Sequence, residues 1–440
     1  MTAKGENSFR DIAGVLIRFS LPLILSGILQ QLYNWADAFI VGNVEGEAAL
    51  AAVGATTIVV YFYVMVITGF TLGLAVLFAQ KYGGGQLSAI PKILSTFSLV
   101  VGVFFTLVAG LGIWLVSPLL NLLNTTADTI LLAEEYLRLV LLGVPFLAVY
   151  NVYSAALRGI GDSKAPFYSV LLSSVVNVLL DILLVAVLRW GVAGAAVATA
   201  VSQAAMTAFL VVYSIRKYDI LRFGRGGRLI DYEMLAEGCR LGFPPMIQSG
   251  VSSAGSLILQ NFMNGFGTQT VAAITTAYRV DSIVMVPIIN LGSGISTLVA
   301  QSFGGGDMRR ARKILGVGSV VMIVVSLLLT VLVIPTGGKL IAFFGAGEAA
   351  AAIGDSFFRR IAVFYVVFGL ATAARSYLEG IGDVLYSGVA GISSLVFRII
   401  FSYAVVGVFA NMVIAFAEGF SWVWLLLMFL IRMVWMKRRI

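Results

Sequence analysis

Long apolar runs broken by short polar turns dominate the chain. Crossing a bilayer as a helix takes about 20 mostly apolar residues. Twelve stretches qualify, at roughly 16–41, 50–79, 93–117, 129–155, 167–188 and 192–215, then 242–263, 271–300, 313–335, 356–377, 386–408 and 412–435. Arg216 to Arg240 is the longest polar segment. The pattern predicts an all-α membrane protein whose twelve transmembrane helices form two six-helix lobes. Residues 1–215 would be the first lobe, 216–240 a cytoplasmic linker, and 241–440 the second lobe.

The same pattern repeats at a constant offset of 221 residues. Ala79-Gln80-Lys81-Tyr82-Gly83-Gly84-Gly85 returns as Ala300-Gln301-Ser302-Phe303-Gly304-Gly305-Gly306. Leu157-Arg158-Gly159-Ile160-Gly161-Asp162 returns as Leu378-Glu379-Gly380-Ile381-Gly382-Asp383, and Ala51-Ala52-Val53 as Ala272-Ala273-Ile274. Apolar helices that match by chance do not keep one register across three separate segments. Six spans per repeat is an even number, so both repeats enter the membrane from the same side. Pseudo-symmetry about the membrane normal, with a cleft between the lobes, suits alternating access better than a pore.

Composition supports lipid as the solvent. The chain is 60% hydrophobic and 11% charged, against about 25% charged in soluble domains. Its net charge of +8 does not point to nucleic acid, because the basic residues cluster between apolar runs, as the positive-inside rule expects. With Lys4, Arg10, the linker's Arg216, Lys217, Arg222, Arg225, Arg228 and Arg240, the Arg309–Lys313 cluster, and Lys437, Arg438 and Arg439 on one side, both termini are expected in the cytoplasm and the chain in the cell membrane. Met1–Asp11 is polar and reads as no removable signal peptide. Histidine is absent, which leaves proton chemistry to carboxylates. Cys239 is the only cysteine, so no intramolecular disulfide forms.

Ionisable residues inside spans carry the functional signal, because an ionised carboxylate is costly in lipid. Asp37 lies in span 1, with Gln30 and Asn34 on the same helix face, and Asp181 lies in span 5, four residues after Asn177. Span 6 adds Thr199, with Ser202 and Gln203 nearby. At the repeat offset, Asp37 becomes Ile258, Asn177 becomes Arg398 and Asp181 becomes Ser402. An architectural requirement would appear in both copies, so a cluster confined to the first reads as a working site. Two coupled aspartates suit one shared proton; the same oxygen-rich set suits a sodium ion. Elsewhere the bland readings hold. The glycine-rich loops lack the Gly-Lys-Ser/Thr of a P-loop and read as tight turns. Gly69 and Gly73 have the spacing of close helix packing. Arg279 and Asp281 in span 8 are two apart and face different sides, so Asp281 is expected to find a buried partner. Arg398 is expected to neutralise a carboxylate or snorkel. Tyr33, Tyr61, Tyr63, Met65 and Tyr150 are candidates for a tolerant apolar wall.

The runs QQLYNWADAFIVG, LAAVG at 50–54, the Ala-Gln…Gly-Gly-Gly loop, LRGIGDSKAP, NVLLD and GVAGAAVATAVSQ together resemble the multidrug and toxic compound extrusion (MATE) family of secondary transporters, over essentially the whole chain. The resemblance is to the DinF-like branch with a first-lobe cation site. It implies that Asp37, Asn177, Asp181 and Thr199 form the cation-coupling set, and would be the metal ligands if the ion is Na+. It implies a bending proline at Pro22, and chamber residues Gln30 and Asn151 that join Asn34, Asp37 and Asp181 in substrate binding. Another branch carries acids in helices 7 and 10; here span 7 offers Gln248 and Gln260, and Asp355 stands at the edge of span 10.

The reading is therefore a monomeric efflux transporter that exports cationic or amphipathic small molecules in exchange for H+ or Na+, with the bilayer as its partner and no cofactor. The alternative is a lipid-linked oligosaccharide flippase of the same broad fold, which would favour a cationic cleft. An enzyme ranks last, for want of a metal-ligand set, an activated nucleophile or a nucleotide loop.

Overall fold

A computed structural model describes residues 8–224, 227, 229–343 and 347–437. Lys4, Arg225, Arg228, Arg438 and Arg439 of the charge pattern lie outside the described residues. The first repeat comprises α1 (Phe9–Glu45), α2 (Glu47–Gly83), α3 (Ala89–Trp114), the short α4 (Val116–Leu122), α5 (Ile130–Leu141), α6 (Val144–Gly159), α7 (Lys164–Asp181) and α8 (Gly191–Lys217). The second comprises α9 (Tyr232–Asn264), α10 (Thr268–Val284), α11 (Val286–Gly304), α12 (Met308–Phe343), α13 (Glu348–Ile361), α14 (Tyr365–Gly380), α15 (Val384–Phe409) and α16 (Val413–Lys437). Among the described residues there is no strand, as expected where every backbone polar group must be satisfied within its own segment.

Among the described residues, ten helical segments are long and apolar enough to span a bilayer, and the α5–α6 pair, bent by 40°, adds an eleventh. α9 is the twelfth span; Gln248, Ser249, Ser252, Ser253 and Gln260 make it less apolar than the rest. Three runs that read as single spans are interrupted. α5 gives way to α6, and α10 to α11, just before Pro145 and Pro287, which sit in the first turn of the following helix. Proline lacks the amide that would continue the ladder and fits at a helix start. α13 and α14 are separated by a 3-10 turn at Ala362–Phe364.

The repeats share backbone detail as well as sequence. α2 spans 37 residues, as does the α10–α11 segment. The repeat-related glycines that turn the chain hold nearly the same left-handed φ: 72° at Gly85 and 76° at Gly306, 95° at Gly161 and 92° at Gly382. Only glycine adopts these angles without strain.

The chain packs as two compact units. One is Leu25–Met246; the other joins Met1–Ile24 to Ile247–Ile440. Each unit therefore includes the opening stretch of a helix that the other continues, and the divisions fall beside Pro22 in α1 and Pro244–Pro245 in α9. Within the first unit, a Cβ on Gly73 of α2 would run into the Leu241 carbonyl of α9 and come within 2.6 Å of the Gly242 amide. Apolar tails of lipid provide no hydrophobic drive between helices, so contacts of this kind hold the bundle. In the second unit, Leu16 of α1 joins Ile295, Tyr365, Phe357 and Phe429 in one buried cluster.

Polar locks fix the loops between penultimate spans. Asp162 Oδ1 accepts the first two amides of α7, from Lys164 and Ala165, at 3.1 Å each. Its Oδ2 accepts from Tyr213 and Lys217 at 3.1 Å and from Tyr218 at 2.8 Å. Burial opposes the charge, but the Tyr218 hydroxyl, the Ala165 amide and the Lys217 ammonium outweigh it and hold the Asp162 carboxyl below the usual carboxylate range. The repeat-related Asp383 is gripped instead by Arg432, through Nε at 2.7 Å and Nη2 at 3.1 Å.

Asp162→Asn removes the charge these donors serve. It is expected to destabilise the protein by about 1–3 kcal/mol at neutral pH. Because the folded carboxyl sits below its ordinary value, its contribution is complete above the ordinary carboxylate range and drains as the pH falls through the lowered value. The gap in Tm between wild type and variant, measured in detergent from neutral to acid pH, should therefore close toward acid; a gap that does not change with pH contradicts a charged lock.

Candidate functional site

α1 and α7 each carry one aspartate into the interior of the Leu25–Met246 unit. Asp37 is 9% exposed, and Asn177 and Asp181 are fully buried. The two carboxyl groups lie within hydrogen-bonding reach of each other. Both are acceptors when ionised, so no bond joins them unless a proton lies between them. No donor substitutes for it: Asp37 Oδ1, both carboxylate oxygens of Asp181, and both Oδ1 and Nδ2 of Asn177 are sealed from solvent without a hydrogen-bond partner. Buried polar groups in native proteins are nearly always paired, and an uncompensated charge away from water is strongly unfavourable. Five orphaned atoms on three residues are the signature of a site built for something else to enter. The donor set consists of carboxylate and amide oxygens, the chemistry of a proton or an alkali cation rather than a soft metal.

The surroundings are apolar. One turn beyond Asp37 stands Val41, and one turn beyond Asp181 stands Val185; both join Ala49, Val140, Val192, Ala195 and Ala196 in a buried cluster. Val41 and Ala49 flank the α1–α2 turn, and Val192 is in the first turn of α8, whose first residue, Gly191, lies beside Glu45. The cluster thus caps the carboxylates from that end. Tyr136 of α5 is part of the same cluster and lies within electrostatic reach of both aspartates, as does Tyr33.

Directly after Asp181 the helix widens into a π-turn, Ile182–Val187. Such turns often accompany functional positions because they re-aim the side chains at their edges. Gly194 of α8 makes room for it: a Cβ there would meet Leu184 at 3.1 Å.

The other sequence-predicted residues are placed as follows. Thr199 is buried on α8, its carbonyl accepting from Ser202 Oγ at 2.8 Å. Gln30 and Asn34 are exposed, so the face they share with Asp37 is buried only at the aspartate. Asn151 is buried on α6 and donates its amide to the Leu147 carbonyl at 2.8 Å, within its own helix. Pro22 lies inside the unbroken α1. Of the candidate wall residues, Tyr63 is packed, donating to the Val108 carbonyl at 3.2 Å, Tyr150 is buried, and Tyr61 is exposed. Arg279 is exposed and Asp281 buried, with Tyr365 as its partner. Sequence reasoning passed over Tyr136, which stands beside Glu134, Glu135 and Arg138 within span 4. It also passed over Glu418, a lone acid in the last apolar run that the rule applied to Asp37 would have flagged.

Known proteins resemble the chain along most of its length. A family profile described as MatE matches residues 22–183 and 244–404, covering most of both repeats. The chain is 28% identical over 387 residues to the probable multidrug resistance protein YoeA of Bacillus subtilis, spanning 86% of this chain and 83% of that one. It is 25% identical over 343 residues to the multidrug export protein MepA of Staphylococcus saprophyticus, spanning 76% and 74%. Among solved structures, a MOP superfamily transporter from Pyrococcus furiosus superposes with a TM-score of 0.90 at 22% identity, covering 97% of each chain. That likeness fixes the fold: twelve transmembrane helices in two lobes.

The apolar cap makes the carboxylate pair slow to meet aqueous reagents. A water-soluble carbodiimide with an amine nucleophile should label exposed Glu47 readily and Asp181 hardly at all, read by peptide mass spectrometry. Val185→Ser should speed labelling of Asp181 severalfold. Equal rates for Glu47 and Asp181 in the unaltered protein would mean that the cap does not exclude water.

Proposed function

The chain belongs to the MatE family, and from that premise we propose that it is a secondary active exporter that exchanges a small cation for a cationic or amphipathic molecule at the Asp37–Asp181 site. The observation that carries this reading is the set of orphaned oxygens on Asp37, Asn177 and Asp181. Two negative charges in an apolar bundle need a positive partner. A proton or sodium ion can supply it, and so can the positive group of a substrate, but not both at once. Facing the outside, the carboxylates take up the ion and release the substrate; facing the inside, they lose the ion and bind substrate again. Competition for one pair of charges makes the exchange obligatory, and no bond is made or broken.

Asp37 and Asp181 are the central charges of the proposed cycle. Asn177 and Thr199 supply neutral oxygens, most useful if the ion is sodium. Gln30, Asn34 and Asn151 line the route of the substrate. Pro22 removes one hydrogen bond from α1 fifteen residues before Asp37, so bending there re-aims the aspartate. Alternating access then moves the pair between the two sides of a cell membrane with both termini cytoplasmic, in a monomer. The acidic character of the site argues against a flippase for lipid pyrophosphates, which needs positive charge.

Purified protein reconstituted in vesicles, with a pH gradient and a sodium gradient imposed separately, tests the cycle with ethidium as the probe. One of the two gradients should drive ethidium movement, and Asp37→Asn and Asp181→Asn should each abolish it while leaving the Tm within a few degrees of wild type. Gradient-driven transport that survives both substitutions contradicts the proposed site.

A further inference from the structure

The unit formed by Met1–Ile24 and Ile247–Ile440 has a cavity of its own, about 260 Å³ in volume. Tyr278, Arg398, Ser402 and Glu418 supply its polar wall, and Phe262 and Met263 part of its apolar wall. Arg398 stands where the first repeat has Asn177, and Ser402 where it has Asp181. The cavity is thus the second repeat's counterpart of the carboxylate site, built from the same helix position with different chemistry.

Its charges are arranged asymmetrically. Arg398 uses one nitrogen, Nη2, for two bonds: to Glu418 Oε2 at 3.0 Å and to the Tyr278 hydroxyl at 2.8 Å. Among the described residues, no protein group accepts from its Nε or Nη1, while Glu418 has the Tyr278 hydroxyl within hydrogen-bonding reach besides Arg398. Behind them, Asp281 of α10 accepts from the Tyr365 hydroxyl of α14 at 2.6 Å. The ionisable groups gathered here are therefore Tyr278 and Asp281 on α10, Tyr365 on α14, Arg398 on α15 and Glu418 on α16. Spare donors of Arg398 and the carboxylate of Glu418 line one small space.

This pattern selects among ligands. A simple cation that reaches Glu418 meets the guanidinium 3.0 Å away. A simple anion that reaches Arg398 meets Glu418, with Asp281 behind it. A molecule with both charges meets both groups, its carboxylate accepting a charge-assisted hydrogen bond from Nη1 or Nε of Arg398. We propose that this cavity binds a small zwitterion, its carboxylate on a free N–H of Arg398, its ammonium on Glu418, and its short apolar body against Phe262 and Met263. The site is separate from the Asp37–Asp181 pair, and its existence does not rest on the exchange cycle.

Calorimetry on the full-length protein in lipid nanodiscs tests the proposal, with three probes of one shape: L-phenylalanine, 2-phenylethylamine and 3-phenylpropanoate. At neutral pH the amino acid should bind, and each singly charged analogue should bind at least about tenfold more weakly, the loss of roughly one charge-assisted hydrogen bond. Arg398→Gln and Glu418→Gln should remove the preference. Ser256→Phe, at an exposed position on the cavity wall, should block L-phenylalanine without touching the ion pair, which keeps the test usable if loss of either charge unfolds the protein. Asp37→Asn should leave binding unchanged. No binding of L-phenylalanine, amine or acid binding equal to that of the amino acid, or undiminished binding in Ser256→Phe would each overturn the assignment. Binding lost only in Asp37→Asn would overturn it too, by moving the ligand to the other site.

Discussion

Two buried carboxylates, three of their four oxygens sealed from solvent without a hydrogen-bond partner, are the constraint around which the first repeat is organised. Asp37 and Asp181 come from helices 144 positions apart in sequence, yet they end within reach of each other beneath an apolar cap. In water such a pair is unremarkable. In a dry bundle it is unstable unless a positive species enters. In the proposed cycle that energetic liability becomes a requirement for exchange.

The two repeats show how much of the fold serves architecture and how much serves chemistry. Turn glycines keep their left-handed φ in both copies, and an aspartate locks the same loop in each, even though Asp162 is held by Tyr213, Lys217 and Tyr218 and Asp383 by Arg432. Backbone geometry and the locking charge are retained while the partner changes, because any well-placed donor satisfies a carboxylate. The site positions diverge in kind. Where the first repeat places Asn177 and Asp181, the second places Arg398 and Ser402, and it recruits Glu418 from another helix to balance the arginine. One scaffold therefore presents a buried acidic pair in one copy and a mixed-charge cavity in the other.

Proline accounts for much of the departure from simple spans. Pro145 and Pro287 begin new helices inside runs that read as continuous, while Pro22, Pro244 and Pro245 are absorbed within long helices. The residue type is the same in each case. A missing amide hydrogen bond coincides with a helix end at Pro145 and Pro287, and leaves α1 and α9 continuous. Composition alone does not distinguish these cases.

The sequence by itself determined the all-helical membrane class, the twelve spans, the repeat and the identity of the buried acids, because lipid punishes unpaired polar groups so heavily that apolar length and stray charge are nearly sufficient signals. Even Glu418 was open to that rule. The tertiary structure decided what local pattern does not encode: that Asp37 meets Asp181, that Tyr136 and Val185 close over them, that the helix widens just after Asp181, and that Arg398 spends one nitrogen on Glu418 and leaves its others free. Those facts depend on which helix faces lie against each other, and packing sets that through contacts between residues far apart in the chain.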